Sequence, residues 1–148
     1  MSLTANISPE ENFLFVHVTG TFSLEDSKDI VTRIFDSLAI NPCGKVLVDF
    51  REASGEPEML ERFLHAMHLV GELNFHCPAV PRSTRFVYLG KRPMVDPNRF
   101  GECVAISNGV AAKVTEDPEE ALIWLGLPSA RLPANIAATM VAKIEFDK

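Results

Sequence analysis

Residues 45–50 read Lys45-Val46-Leu47-Val48-Asp49-Phe50, a short and almost entirely apolar run. Such a run of aliphatic and β-branched residues is typical of a strand that is buried on both faces of a sheet. A polar loop with glycine and proline follows, and a helical pattern begins at Pro57. Strand, loop and helix in this order predict a sheet covered by helices. Ligands of open α/β sheets lie at the carboxyl ends of the strands, so we expect a site near the loop after Phe50.

The rest of the chain repeats this alternation of strands and helices. Apolar runs predict strands, and apolar residues three and four apart predict helices. The strands are expected at 3–7, 13–18, 45–50, 85–90 and 111–115, and the helices at 24–40, 57–75, 97–107 and 118–125. This order predicts an α/β fold with a mixed, mostly parallel sheet of about five strands, of which the first is antiparallel.

The helix ends are marked by capping residues. Ser23, Asp96 and Asp117 are predicted N-caps, with proline at the first helical position after both aspartates, and Gly126 ends the last of these helices. In the second helix, the apolar spacing predicts an inward face made of Leu60, Phe63, Leu64, Met67, Val70 and Asn74.

The chain is expected to form one domain over 1–127 and a C-terminal extension over 128–148. The extension carries apolar residues at four-residue spacing, which predicts an additional amphipathic helix; they are Leu132, Ile136, Met140 and Ile144. A strand over 141–146 is the alternative. This stripe either packs on its own domain or forms a dimer contact.

Composition and charge exclude several classes of protein. The 148 residues, 47% of them hydrophobic, predict an ordered globular domain. The net charge of −6 disfavours binding to nucleic acid and to anionic lipid surfaces. No apolar run approaches the roughly 20 residues that span a bilayer, and no signal peptide is evident. Three widely spaced cysteines, Cys43, Cys77 and Cys103, fit reduced thiols, so we expect a cytoplasmic protein.

Three passages, taken in order, resemble the SpoIIAA-like family, a branch of the STAS (sulfate transporter and anti-sigma-factor antagonist) fold. They are the strand over 45–50, the strand over 85–90 with its arginine-bearing loop, and the segment over 112–125. The last is the most specific, because its acid-rich turn and a helix ending in Ala121-x-x-Trp124-Leu125 are similar to the family's closing signature. The likeness covers residues 7–126 and implies a small cytosolic domain that is often dimeric.

The resemblance also implies a candidate phosphoacceptor. Anti-sigma-factor antagonists of this kind are phosphorylated on a serine in an Asp-Ser-Ser-Gly-like turn before the helix that follows the middle strand. Here the loop reads Ala53-Ser54-Gly55, without an aspartate before Ser54 and with Pro57 after it. Ser54 is therefore expected in the place of the regulatory serine, but without its motif. Related STAS-like domains have been grouped with CRAL-TRIO lipid-transfer proteins, so the binding of a lipid or another apolar ligand is an open alternative.

Two polar clusters are candidate sites. Glu61, His65, His68 and Glu72 fall on one side of the second helix, where two histidines three residues apart and a nearby acid can bind a metal ion. The same spacing is that of a solvated helix face with weak charge pairs. The second cluster is a rim of polar and basic side chains at the predicted carboxyl edge of the sheet, suited to a phosphate or carboxylate: Arg51, Ser54, Lys91, Arg92 and Arg99. These residues can equally offset nearby acids on a solvated surface.

Three functions follow from these observations. The first is a non-catalytic regulatory domain that binds a protein partner or a second copy of itself, without a cofactor. The second is a carrier of a small apolar or acidic molecule, and the third is a metal-dependent enzyme that uses the helix histidines. No nucleotide-binding glycine loop and no Gly-x-Ser-x-Gly elbow occurs in the chain. A large apolar pocket that opens at the rim would favour the carrier, and a flat apolar surface around the tail would favour the interaction domain.

Overall fold

Five strands and four helices lie within residues 2–128. A computed structural model describes residues 2–128, 132, 134, 136–138 and 140. The strands are β1 Thr4–Pro9, β2 Leu14–Thr21, β3 Lys45–Ser54, β4 Arg85–Leu89 and β5 Ala111–Thr115. The helices are α1 Leu24–Ile40, α2 Met59–His76, α3 Phe100–Ser107 and α4 Pro118–Leu125.

The five strands form one sheet in the order β1-β2-β3-β4-β5. β1 runs antiparallel to β2, and all other neighbours are parallel. In the register at the centre of the sheet, Val48 of β3 lies beside Val16 of β2 and Tyr88 of β4. The predicted fold class and the antiparallel first strand are therefore confirmed.

The two faces of the sheet are covered by different elements. Alternate residues of β3 point to opposite faces, and Val46, Val48 and Phe50 pack with α1, α2 and α3. On the other face, Leu47 packs with α4 and with Ile136 of the C-terminal extension. Both faces of the central strands are thus buried, as the near-continuous apolar run of β3 predicts.

Three capping predictions are confirmed. The hydroxyl of Ser23 accepts a hydrogen bond from the backbone N–H of Asp26 at 3.2 Å and caps α1. The carboxylate of Asp117 accepts one from the N–H of Glu119 at 3.0 Å and caps α4. α4 ends at Gly126, whose φ of 68° lies in the left-handed region that favours glycine.

The predicted start of α3 is wrong. The helix begins at Phe100, after Arg99 in a left-handed conformation, and not at Pro97. The carboxylate of Asp96, in the loop that precedes the helix, accepts hydrogen bonds from the backbone N–H groups of Asn98 and Phe100. These bonds hold the chain in a turn. Aspartate side chains can bond to nearby backbone N–H groups in this way and so favour a turn over a helix.

The predicted inward face of α2 is confirmed at Val70 but wrong at Leu60, Phe63, Leu64 and Asn74. Its buried residues are Ala66, Leu69, Val70 and Leu73, whereas Leu60, Phe63 and Leu64 are exposed. The predicted and the observed inward faces are rotated about the helix axis by roughly 100°, the angle between successive residues. Apolar residues occur on two adjacent stripes of this helix, so the spacing alone did not decide which stripe packs on the domain.

The C-terminal extension packs on the domain at the described positions. Ala134, 136–138 and Met140 are helical, and Leu132, Ile136 and Met140 are buried. Leu127 belongs to the same cluster, so the side chains on both sides of the predicted boundary at 127/128 share one core. Ile144 and the alternative strand over 141–146 lie outside the described residues.

Candidate functional site

An apolar cavity of about 140 Å³ lies between the sheet and the helices α1, α2 and α3. Its walls come from β2, β3, β4 and β5 below and from the three helices above. Most of the lining side chains are aliphatic or aromatic; Ile30, Ile34, Val48, Phe50, Leu69 and Val114 are representative. The site therefore has the character of a small-molecule pocket, which is typically concave and apolar with few polar groups.

Small residues at inward positions account for the empty space. Ala66 of α2, Ala105 of α3 and Ala112 of β5 are buried and line the cavity. Gly101 lies in the first turn of α3 and lines it as well. Protein cores are normally close-packed. At these four positions the side chains are too small to fill the space between α2, α3 and the sheet, so a cavity remains.

A chain of polar groups crosses the cavity wall. His65 Nε2 lies 3.1 Å from the hydroxyl oxygen of Tyr88, and His65 Nδ1 lies 3.2 Å from the hydroxyl oxygen of Ser27. Burial, together with the nearby His68, lowers the pKa of His65 to about 4, and burial raises the pKa of Tyr88. Both side chains are therefore neutral at physiological pH.

Charged side chains at one end of the cavity are held by the backbone. Arg62 donates to the carbonyl oxygens of Met94 at 2.6 Å and Pro93 at 3.0 Å. The carboxylate of Glu102 accepts from the N–H of Val114 at 2.7 Å. The hydrogen bonds from Phe100 and Asn98 lower the pKa of Asp96, so this carboxylate stays charged. These partly exposed groups line the cavity from α2, from α3 and from the loop before α3.

The exposed residues of the predicted anion-binding rim have different surroundings. Arg99 is exposed and lines the cavity. Arg92 is exposed and pairs with Glu116 at 3.3 Å, and Lys91 beside it is also exposed. Ser54 is the exposed last residue of β3, and its hydroxyl makes only long contacts, at 3.4 Å to the Gly20 carbonyl and 3.5 Å to the Thr21 hydroxyl. Ser54, Lys91 and Arg92 do not line the cavity.

Arg51 lies on the other side of the sheet and is buried. Its guanidinium group donates to both carboxylate oxygens of Asp49, at 2.8 Å and 2.7 Å. The same group lies 3.6 Å from the sulfur of Met140 in the C-terminal extension. The predicted end of the strand at Phe50 is therefore wrong: β3 continues through Arg51 to Ser54, where it pairs with Thr21 of β2.

The candidate metal ligands on α2 are used for other contacts. Glu61 accepts a hydrogen bond from the N–H of Glu58 at 2.9 Å and so caps its own helix. His65 contacts Ser27 and Tyr88, whereas His68 and Glu72 both bond to the hydroxyl of Thr32 on α1, at 2.9 Å and 3.1 Å. Among the described residues, no group of three histidine, cysteine, aspartate or glutamate side chains is placed to hold a metal ion.

The first two turns of α2 expose an apolar stripe. Four side chains keep a large fraction of their surface accessible: Met59 at 67%, Leu60 at 65%, Phe63 at 39% and Leu64 at 38%. They lie on the side of α2 that does not face the cavity, because His65, Ala66 and Leu69 occupy the inward side. We call these four residues the α2 stripe.

The carrier alternative allows for an apolar pocket, but the sequence predicted neither its lining nor its polar chain. His65 was singled out as a metal ligand, and neither Ser27 nor Tyr88 was singled out at all. A usable signal was present, since Tyr88 is the only tyrosine in the chain and lies among Phe86, Val87 and Leu89 in a predicted strand. A buried tyrosine hydroxyl needs a hydrogen-bond partner, and a histidine on a neighbouring helix is a suitable one.

Comparison with known proteins identifies the fold. The structure is similar to the crystal structure of an anti-sigma factor antagonist from Mycobacterium paratuberculosis, with a TM-score of 0.54 and 11% sequence identity over 84% of this chain and 95% of that one. It also matches an uncharacterised protein of the DUF3478 family with a SpoIIAA-like fold from Shewanella loihica PV-4, with a TM-score of 0.47 and 19% identity over 83% and 93% of the two chains. No family model and no curated protein matches the chain. The protein has a STAS/SpoIIAA-like fold, as the resemblance implied.

Proposed function

We propose that this chain is a non-catalytic regulatory domain that binds a protein partner through the α2 stripe. The observation that carries the proposal is the exposure of four neighbouring apolar side chains on one helix surface. The similar fold of a protein named as an anti-sigma factor antagonist supports a regulatory role. Among the described residues, no helix is long and apolar enough to cross a membrane, so the stripe is not part of a membrane-spanning helix.

The stripe has the properties of the centre of an interface. Full burial of a leucine, methionine or phenylalanine side chain stabilises a complex by roughly 1.5–3 kcal/mol before the costs of association are subtracted. Leu60 and Phe63 are three residues apart and therefore adjacent on the helix surface. A partner that covers both removes a contiguous apolar surface from water, which is how binding energy concentrates at a few central residues.

The surrounding charges indicate the chemistry of the partner. Three glutamates lie in the loop before α2 and in its first turn: Glu56, Glu58 and Glu61. The nearby Arg62 is tied to backbone carbonyls, and Arg51 is buried on the other face of the sheet. We therefore expect a partner with an apolar surface bordered by lysine or arginine. Two copies of this face would place acids against acids, so the stripe suits a different protein better than a homodimer.

A capture experiment with matched variants tests this proposal. The full chain is used to capture proteins from extracts of its own host, and we expect a partner whose retention weakens between low and physiological salt. The variant Leu60→Ser/Phe63→Ser should lose this partner. The variant Ile123→Ser should retain it, because Ile123 is 71% exposed but lies on α4, on the other face of the sheet.

Two outcomes would contradict the proposal. Equal retention by the stripe variant and by the α4 control would mean that the stripe does not bind the partner. Light scattering that shows a dimer of the wild type, and a monomer of the stripe variant, would assign the stripe to self-association instead.

We also propose that Ser54 accepts a phosphoryl group. Its hydroxyl is exposed and makes only long contacts, and a phosphate there would add about −1.5 to −2 charges close to the start of α2. Incubation with ATP and host extract should label the wild-type chain but not Ser54→Ala. Thr21→Val is the control, because Thr21 carries the neighbouring hydroxyl. Labelling of Ser54→Ala at the wild-type level would refute this assignment.

A further inference from the structure

The cavity beneath α2 supports an inference that is independent of the partner surface. Its volume of about 140 Å³ is close to that of an apolar protein cavity that binds benzene, about 150 Å³. Most of its wall is apolar, so a ligand that fills it needs an apolar body of about one substituted ring. The remaining question is which polar group such a ligand carries.

The hydrogen-bond network assigns the protons of the polar chain. The Ser27 hydroxyl donates to the carbonyl oxygen of Leu24 at 2.8 Å, which uses its only proton. Ser27 therefore accepts from His65, so Nδ1 of His65 carries the ring proton. The neutral ring then presents Nε2 as an acceptor, and the Tyr88 hydroxyl donates to it.

This assignment leaves the Tyr88 oxygen able to accept a further hydrogen bond. Its proton is directed to His65, and its oxygen lone pairs are free of any hydrogen bond from the described residues. The side chain lines the cavity, so a bound molecule can reach the oxygen. Tyr88 and His65 are both neutral, so this pair offers no charge to a carboxylate or an ammonium group. Of the charged side chains in the lining, Arg62, Asp96 and Glu102 are already bonded to backbone groups.

We propose that this cavity binds a small neutral molecule with a single apolar ring and one hydroxyl or N–H group, which donates a hydrogen bond to the oxygen of Tyr88. The apolar wall accommodates the ring, and the Ser27–His65–Tyr88 chain fixes the direction of the acceptor. The backbone contacts of Arg62 and Asp96 hold α2 and the loop before α3 in place beside the cavity. This site uses the inward side of α2, so it does not depend on the partner proposed for the outward side.

Residue-specific fluorine NMR tests the proposal on the full chain. The sequence has one tyrosine and one tryptophan, so 3-fluorotyrosine reports on Tyr88 alone and 5-fluorotryptophan on Trp124 alone. Trp124 packs on the opposite face of the sheet and serves as the control. Phenol, which has a ring and a donor, should shift the Tyr88 signal saturably and leave the Trp124 signal in place. No saturable shift of Tyr88, or equal shifts at both residues, would overturn the proposal.

The hydrogen bond is tested by comparing phenol with toluene, which has the same shape but no donor. The affinities are measured from the amide signals of Ala66 and Ala105, which both line the cavity. In the double variant Tyr88→Phe/His65→Leu, both polar acceptors are replaced by apolar groups. The ratio of phenol affinity to toluene affinity should fall about fivefold, as expected for the loss of one net hydrogen bond. An unchanged ratio would show that Tyr88 does not receive the donor.

A cavity-filling variant tests where the ring binds. Ala105→Leu places a larger side chain in the cavity and should abolish binding of both phenol and toluene. If this variant does not fold, Ala112→Val makes the same test with a smaller increase in volume. A folded variant that binds phenol as tightly as the wild type would place the ligand elsewhere and overturn the assignment.

Discussion

Arg51 and Asp49 form a buried two-point ion pair within a single strand. Residues two apart on a strand point to the same face, so the guanidinium group meets the carboxylate with Nε–Oδ1 and Nη2–Oδ2 distances of 2.8 Å and 2.7 Å. Only 2% of the Arg51 side chain and 3% of the Asp49 side chain are exposed. The backbone N–H of Arg51 also donates to Asp49, at 3.2 Å. The pair lies under Met140 and so connects the centre of the sheet to the C-terminal extension.

Breaking this pair should destabilise the protein strongly. Arg51→Met leaves the Asp49 carboxylate buried without its partner, and the expected loss in the free energy of unfolding is about 3–5 kcal/mol. The double variant Asp49→Leu/Arg51→Met should recover most of that loss, because an apolar pair of similar volume carries no buried charge. Urea unfolding measures the free energy of unfolding of the wild type, of Arg51→Met and of the double variant.

A surface ion pair provides the control for this prediction. Arg92 pairs with Glu116 at 3.3 Å, and 64% of its side chain is exposed. Arg92→Met should change the free energy of unfolding by less than about 1 kcal/mol. Similar losses for Arg51→Met and Arg92→Met would contradict the interpretation that burial makes the difference.

The sequence was sufficient to predict the fold because its strong local signals agree with the tertiary structure. β5 was predicted with its observed bounds, since turn residues flank a short apolar run. The caps at Ser23 and Asp117 follow from local hydrogen bonds that need no distant partner. Local patterns of this kind place the elements in order, and right-handed parallel connections then restrict the topology.

The candidate site was harder to predict because it depends on contacts between distant residues. The inward side of α2 is decided by packing against α1 and α3, and the spacing of Leu60 and Phe63 favoured the wrong stripe. Arg51 looked like a loop residue, but a partner two residues earlier keeps it buried in the strand. The cavity itself arises from small residues on three separate elements, and no single segment of the sequence reveals that they face one another.

Two glycines with different surroundings test how closely the sheet is packed. A Cβ atom at Gly90 would overlap the ring of Phe50, so Gly90→Ala should destabilise the protein by about 1–3 kcal/mol. Gly71 is an exposed residue within α2, and a Cβ atom there would have no atom within 4 Å. Gly71→Ala should therefore stabilise the protein by about 0.5–1 kcal/mol. Thermal unfolding of the two variants distinguishes them, and a shift in the same direction for both would contradict the packing described for Gly90.

The C-terminal extension should contribute to stability through Ile136. This side chain is 2% exposed and packs against the sheet, so Ile136→Ala should cost about 2–5 kcal/mol. Ile123→Ala is the matched control, because the same substitution at an exposed position of α4 should change the free energy of unfolding by about 0.5 kcal/mol or less. Equal effects of the two substitutions in urea unfolding would mean that the extension does not pack on the domain as described.

His65 should make the stability of the protein depend on pH. Its pKa is lowered from 6.5 to about 4 in the folded protein, so the unfolded chain takes up the proton first as the pH falls. Above pH 6.5 the neutral histidine therefore contributes in full to the free energy of unfolding. As the pH falls from 6.5 to 4, that free energy decreases by about 1.4 kcal/mol per pH unit. Carboxylates titrate in the lower part of this range, so the comparison needs a variant that lacks only this group.

His65→Gln is that variant, because glutamine is polar but does not titrate. The stability difference between the wild type and His65→Gln should be about 2 kcal/mol smaller at pH 5 than at pH 7, since only the wild-type unfolded state gains a proton at residue 65. Urea unfolding at the two pH values measures this difference. The NMR signal of the His65 ring should also stay at its neutral position down to pH 5. A ring that protonates near pH 6.5, with an unchanged stability difference, would show that His65 is solvated and not part of the buried chain with Ser27 and Tyr88.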